Sequence, residues 1–144
     1  MELNIVIGGH DARKSSLIRA LSGGFGRSKE FDIKLLNQTD LTWVITNALQ
    51  EIPWSVKQFQ QELKKHLIVK RVLLALRCVN RKHGDANNYI RQFIRLGYNI
   101  DGIALLDDSY KVTNSFPRQI QINNSNITPT NDIASKVRTI WGWN

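Results

Sequence analysis

The chain reads as a single three-layer α/β domain, a mostly parallel sheet sandwiched by helices. Three observations predict it. Strand-like and helix-like segments alternate along the chain, the order that parallel strands joined by crossover helices require. Two apolar runs, at residues 69–79 and 100–106, lack the polar alternation of a half-exposed strand and fit strands buried on both faces. A length of 144 residues with 42% hydrophobic content is enough for one core and too little for two domains.

The elements follow in order. Residues 3–7 form a buried strand, and the helix after it carries Leu17, Ile18 and Leu21 on one face before Gly23 and Gly24 stop it. A strand over 31–36 ends in Asn37, Gln38, Thr39 and Asp40. Residues 41–50 are expected to form a short helix. A stronger helix is expected after Pro53, where Val56, Phe59, Leu63 and Leu67 share a face. Val72 to Leu76 supply a central strand. Asp85 can cap a helix that turns Tyr89, Ile90, Phe93 and Ile94 inward and stops at Gly97. Strands over 100–106 and 118–122 precede a closing helix over 131–141, with Ile133, Val137 and Ile140 on one side. No repeat, low-complexity tract or linker interrupts this series.

The first strand delivers the chain into Gly8-Gly9-His10-Asp11-Ala12-Arg13-Lys14-Ser15-Ser16. This fits the phosphate-loop pattern G-x-x-x-x-G-K-[ST] except at the second glycine, which is Arg13. In such a loop, backbone N–H groups and a helix N-terminus cradle phosphate oxygens. Lys14 would reach the β/γ-phosphates and the Ser15 hydroxyl would ligate Mg²⁺, with Gly8, Ser15 and Ser16 framing the cradle. A glycine before the lysine lets the backbone pass close to the phosphate, whereas Arg13 adds a Cβ and a long cationic side chain. That side chain either blocks the pocket or folds outward and adds a second cation. The plainer alternative is an ordinary strand–loop–helix junction.

In element order and length the chain resembles the G domain of small GTPases, and most closely the compact GTPase-like proteins of ethanolamine and propanediol utilisation operons. The resemblance implies a P-loop NTPase fold of G-domain type, with GTP or ATP and Mg²⁺ as cofactors. It would place the family's Asp-x-x-Gly switch at Asp40-Leu41-Thr42-Trp43, which has the aspartate and lacks the glycine. The guanine-reading Asn-Lys-x-Asp would fall at Leu105-Leu106-Asp107-Asp108, where only aspartates remain, and the later Ser-Ala-Lys-like stretch near Asn123-Asn124-Ser125-Asn126. The implied metal ligands are then Ser15, Asp40 and Asp107. Residues 103–108 also resemble a Walker B strand, four apolar residues followed by two acids, in which Asp107 would help hold Mg²⁺ and Asp108 would orient water. Apolar strands also end in aspartate simply because aspartate favours turns.

Charge supplies a separate clue. The net charge is +8, and between Lys64 and Arg95 only Asp85 is acidic. Arg77, Arg81, Lys82, Arg91 and Arg95 form a candidate basic surface for nucleic acid, an anionic membrane surface or an acidic protein partner. The same residues also suit a merely solvated face. No aromatic-interleaved RNA motif, zinc finger or helix-turn-helix accompanies them. Asp32-Ile33-Lys34, with Asp11 as a second acid, fits half of a metal-nuclease core, a very common tripeptide. His10, His66 and His83 are too scattered to suggest a metal site. The single cysteine, Cys78, excludes an internal disulfide and reads as a buried core residue. Trp141 and Trp143 are expected to anchor the last helix against the sheet, the alternative being an exposed aromatic patch for a partner.

With no transmembrane run and no signal peptide expected, the chain reads as cytoplasmic. The functional expectation is a degenerate GTPase-like domain with weak or lost nucleotide binding, acting through protein–protein interaction in a larger assembly. The alternatives are an active P-loop NTPase hydrolysing GTP or ATP and a basic nucleic-acid-associated protein.

Overall fold

A computed structural model describes residues 1–10, 12–23, 29–35, 37–106 and 110–143, Lys29 in its backbone only. The described residues form ten elements: β1 (Glu2–Gly8), α1 (Lys14–Ser22), β2 (Lys29–Lys34), β3 (Thr39–Ala48), α2 (Val56–Leu63), β4 (Arg71–Arg77), α3 (Ala86–Arg95), β5 (Asn99–Leu105), β6 (Gln119–Gln121) and α4 (Thr130–Trp141). They build one six-stranded sheet of order β2-β3-β4-β1-β5-β6. Every neighbouring pair is parallel except the β2–β3 hairpin, so the sheet is mixed and mostly parallel.

Period-two alternation in the central strands divides the core into two layers. Leu3, Ile5 and Ile7 of β1, with Leu74 and Leu76 of β4, face Phe59 of α2 and Tyr89, Ile90 and Phe93 of α3. Val6, Leu73, Ala75 and Ala104 face Leu17, Ile18 and Leu21 of α1 and Ile133, Val137 and Trp141 of α4. Local signals set the helix ends. Ser55 and Gln58 form a capping box at α2, and the Asp85 side chain accepts the Asn88 N–H at α3. Gly23 closes α1 in the left-handed region, and the Arg138 guanidinium of α4 reaches the Ala20 carbonyl at that same end. Gly24 lies outside the described residues. Trp141 and Trp143 are both buried and meet edge to face, 5.1 Å between centroids, and Trp143 bridges to Leu35 beside β2. Cys78 is buried, as its apolar surroundings predict.

Three expectations are corrected. Residues 41–50 are not a helix: β3 runs to Ala48, because Thr42, Trp43, Val44, Ile45 and Thr46 are β-branched or aromatic, and Thr42, Trp43 and Val44 pair with both β2 and β4. Leu67 is not on the buried face of α2; that helix ends at Leu63, and Leu67 is 88% exposed. Ile94 and Ile140 also sit at exposed helix positions, since the inward stripes are narrower than the apolar pattern suggested.

Candidate functional site

The β1–α1 loop lies where the sheet changes sides. β1 feeds α1 on one face. Its neighbour β4 feeds α3 on the other, and the chain after β5 packs Tyr110, Val112 and Phe116 onto that same face. A reversal of this kind opens a crevice beyond the C-terminal ends of the strands, where α/β sheets bind ligands. The walls are close: Cys78 N–H donates to the Gly8 carbonyl (3.2 Å) and Leu106 N–H to the Ile7 carbonyl (2.7 Å). Gly8 is needed here for space, because a Cβ on it would stand 2.8 Å from Ala12 Cβ and 3.3 Å from Leu106 Cβ.

Arg13 occupies the position of the missing glycine and adopts a conformation that suits one, with φ 66°. Its side chain turns out of the loop. The guanidinium donates to the Ser125 carbonyl (2.9 Å), the Thr128 carbonyl (2.6 Å) and the Thr130 hydroxyl at the start of α4. The segment at 123–126 thus comes beside the loop, with Ser125 Oγ in turn donating to the Leu106 carbonyl. Arg13 thus sets three hydrogen bonds, to two carbonyls and one hydroxyl, against its left-handed backbone. Replacing it should test that bargain. Arg13→Gly is expected to lower stability by about 1–3 kcal/mol, the lost charged hydrogen bonds outweighing about 1–2 kcal/mol of relieved left-handed strain. Urea denaturation measures the sign, and a more stable variant would mean that the three contacts contribute nothing.

Lys14, Ser15 and Ser16 open α1 and, with Ala12 and Arg13, line an open depression of about 310 Å³. Lys14 is 6% exposed, and its Nζ donates to the Gly9 carbonyl at 2.7 Å. The Ser15 hydroxyl donates to the Thr46 carbonyl at 3.0 Å. Backbone N–H groups at this helix start can hold an anion. The Lys14 ammonium and the Ser15 hydroxyl thus meet carbonyls of the loop's own backbone and of β3.

Of the proposed metal ligands, Ser15 and Asp40 do not come together. Asp40 lies near the start of β3, two residues before Thr42, which pairs with Arg71. β4 spans the sheet from Arg71 to Arg77, beside Gly8, so Asp40 is at the opposite edge, roughly 20 Å from the loop at 3.3 Å per residue. The expectation failed because it placed Asp40 after a strand rather than within one. Asp40 is buried in an ion pair with Arg71 (3.1 Å), which also bonds Asp101 (2.7 Å) and Asn4. Asp107 and Asp108 lie outside the described residues, as does Asp11; Leu106, just before them, packs against Gly8. Among the described residues no group of three or more His, Cys, Asp or Glu side chains could hold a metal ion. Asp32 lies exposed on edge strand β2.

The basic residues divide. Arg77 reaches the crevice, but its Nε donates to Glu51 (2.9 Å) and a terminal nitrogen meets His10 Nδ1 at 3.1 Å. Arg81 and Lys82 are exposed in the β4–α3 loop, while Arg91 and Arg95 run along α3 towards the opposite edge of the sheet. They do not form one face around the loop. His66 stacks on Trp43 at 4.1 Å and contacts Glu30 at 2.6 Å, away from the crevice. Two residues that sequence reasoning missed shape the crevice. Thr46 supplies the carbonyl facing Ser15. Buried Gln50 clasps the backbone of Arg77, accepting its N–H at 3.0 Å and donating to its carbonyl at 3.1 Å. The β-branched content of 42–46 was the available signal for the first; the second had none. Burial pushes the Tyr110 phenol above its usual range even though it accepts the Asn87 N–H, a bond that pins the segment after β5 to the first turn of α3.

Fold and crevice together define a single α/β domain with a mixed, mostly parallel six-stranded sheet and a strand–loop–helix at its switch point. No family model, curated protein or solved structure matches the chain. No helix among the described residues is long and apolar enough to cross a membrane.

Proposed function

We propose that the chain is a degenerate P-loop, GTPase-like domain in which nucleotide binding is weak or lost, and that it acts by contacting a protein partner within a larger assembly. The observation that carries this reading is the inward engagement of Lys14. A phosphate at the start of α1 would have to draw its ammonium group off the Gly9 carbonyl and out of its buried position. Two further features support it. The Ser15 hydroxyl donates to the backbone carbonyl of Thr46, and the arginine of the loop is committed to the 125–130 segment. Under this reading the loop is an inherited turn that ties β1, α1 and α4 together.

Calorimetric and thermal-shift titrations with GTP, GDP, ATP and ADP, with and without Mg²⁺, test it. At about 1 mM nucleotide the melting temperature is expected to move by no more than about 1 °C, as for a Kd at or above the millimolar range. A shift of several degrees that disappears in Lys14→Ala would overturn the reading and establish a working phosphate loop, with Asp107 the first residue to substitute next. The open depression at Ala12 to Ser16 is the one observation that favours that active-NTPase alternative.

A further inference from the structure

On the face of the sheet away from α1, helices α2 and α3 lie side by side, joined by the edge-to-face contact of Phe59 and Phe93, 5.4 Å between centroids. Between them runs a groove of about 390 Å³ lined by Val56, Lys57, Gln60, Gln92, Arg95 and Leu96. Its floor is apolar: Val56 is buried beneath it and Leu96 remains 48% exposed. Both charged residues lining it are cations, one on each helix, and their aliphatic stems extend the apolar surface. Exposed Arg91 and Lys64 add to the same sign, while α3 contains no acid and the single acid of α2, Glu62, is held by Lys65 at 3.0 Å.

We infer that this groove is the docking site for an acidic amphipathic helix of a partner protein. An apolar floor flanked by cations on both rims is complementary to a helix with apolar residues at i, i+3, i+4 and i+7 and carboxylates alongside them. A second copy of this chain does not fit. Its net charge is +8, α1 and α3 contain no acid, α2 contains only Glu62 and α4 only Asp132, so none of its helices supplies an acidic face. Nucleic acid fits less well than protein, because no aromatic ring lines the groove to stack on a base.

This inference rests on the reading of the chain as an interaction module and gives that module its surface and partner chemistry. The test uses the full chain, ¹⁵N-labelled, and three probes. The first is a designed peptide of about 15 residues with leucines at the stated spacing and flanking glutamates; the second replaces the glutamates with lysines; the third is a single-stranded oligonucleotide. The acidic peptide is expected to bind saturably and to shift the amides of Lys57, Gln60, Gln92, Arg95 and Leu96, while the basic peptide does not bind. Lys57→Glu combined with Arg95→Glu should weaken binding about tenfold or more. Arg81→Glu with Lys82→Glu should leave it unchanged, and both surface variants should keep the parent melting temperature. Absence of saturable binding, an equal loss in the Arg81/Lys82 variant, or tighter binding of the oligonucleotide at the same amides would overturn the proposal. Peptide shifts mapping elsewhere would overturn the groove while sparing the module reading. Lys14-dependent nucleotide binding would overturn the loop reading without touching the groove.

Discussion

Arg71→Met is expected to destabilise the protein by about 3–5 kcal/mol, the range for removing one partner of a buried ion pair. Arg71 is 4% exposed and stands at the N-terminal edge of the sheet, where its guanidinium serves three strands at once: Asn4 of β1, Asp40 of β3 and Asp101 of β5. Asp101 would keep Arg118 at 3.5 Å, but Asp40 would be left buried without its cation. The cost therefore lies mainly in an uncompensated carboxylate rather than in lost packing. Asp40→Asn alone should cost less, because Arg71 retains Asp101. The double variant should be more stable than the sum of the two singles by about 1–3 kcal/mol, the coupling expected of groups in direct contact. Urea denaturation of the four proteins closes this cycle, and strict additivity would show that the pair does not interact. The same result bears on function, since a carboxylate that holds the sheet edge together is not available to a metal on the far side.

Asp40 also shows where sequence reading reached its limit. The elements outside residues 41–50, both central strands, the Asp85 cap and the anchoring tryptophans were legible because each depends on local pattern: apolar runs, capping chemistry, turn residues. Strand order was not, and the site depends on strand order. Reading 41–50 as a helix placed Asp40 at the end of the strand before it, level with the loop. Once that segment becomes β3, Asp40 moves to the opposite edge and Thr46 takes its place beside Ser15. The strand–loop–helix was legible from the apolar strand, the Gly8 to Ser16 pattern and the amphipathic helix after it. What those side chains do was not written there, because Lys14 and Ser15 each donate to a backbone carbonyl, which every residue type provides. Arg13 is the reverse case: its oddness was plain in the motif, and only the approach of residues 125–130 from more than a hundred positions away explains it.

Trp141→Ala should be the other severe substitution, with an expected loss of about 3–5 kcal/mol for emptying a large aromatic site in the core. Trp141 is fully buried between α4 and the sheet, and the sheet makes room for it with a glycine. A Cβ on Gly102 of β5 would stand 2.5 Å from both Cδ1 and Nε1 of the indole and 2.9 Å from Asn4 Nδ2. Gly102→Ala is therefore expected to cost about 1–3 kcal/mol by overpacking, since neither neighbour is the free end of a flexible chain. The two changes should partly cancel when combined, because the added methyl group enters the space the indole leaves. Trp141→Phe separates volume from polarity. The indole Nε1 is buried without an acceptor, so its removal relieves a desolvated donor while keeping most of the ring, and the loss should stay below about 2 kcal/mol. Were Trp141→Phe as damaging as Trp141→Ala, the indole nitrogen would have to contribute through a contact that packing alone does not supply. The neighbourhood extends further: Asn4, the third party at Gly102, also accepts from Arg71 and donates to Asp101 at 3.3 Å. Gly102→Ala should consequently also weaken the coupling measured between Arg71 and Asp40, which links the tryptophan anchor on one face of the sheet to the charged cluster at its edge.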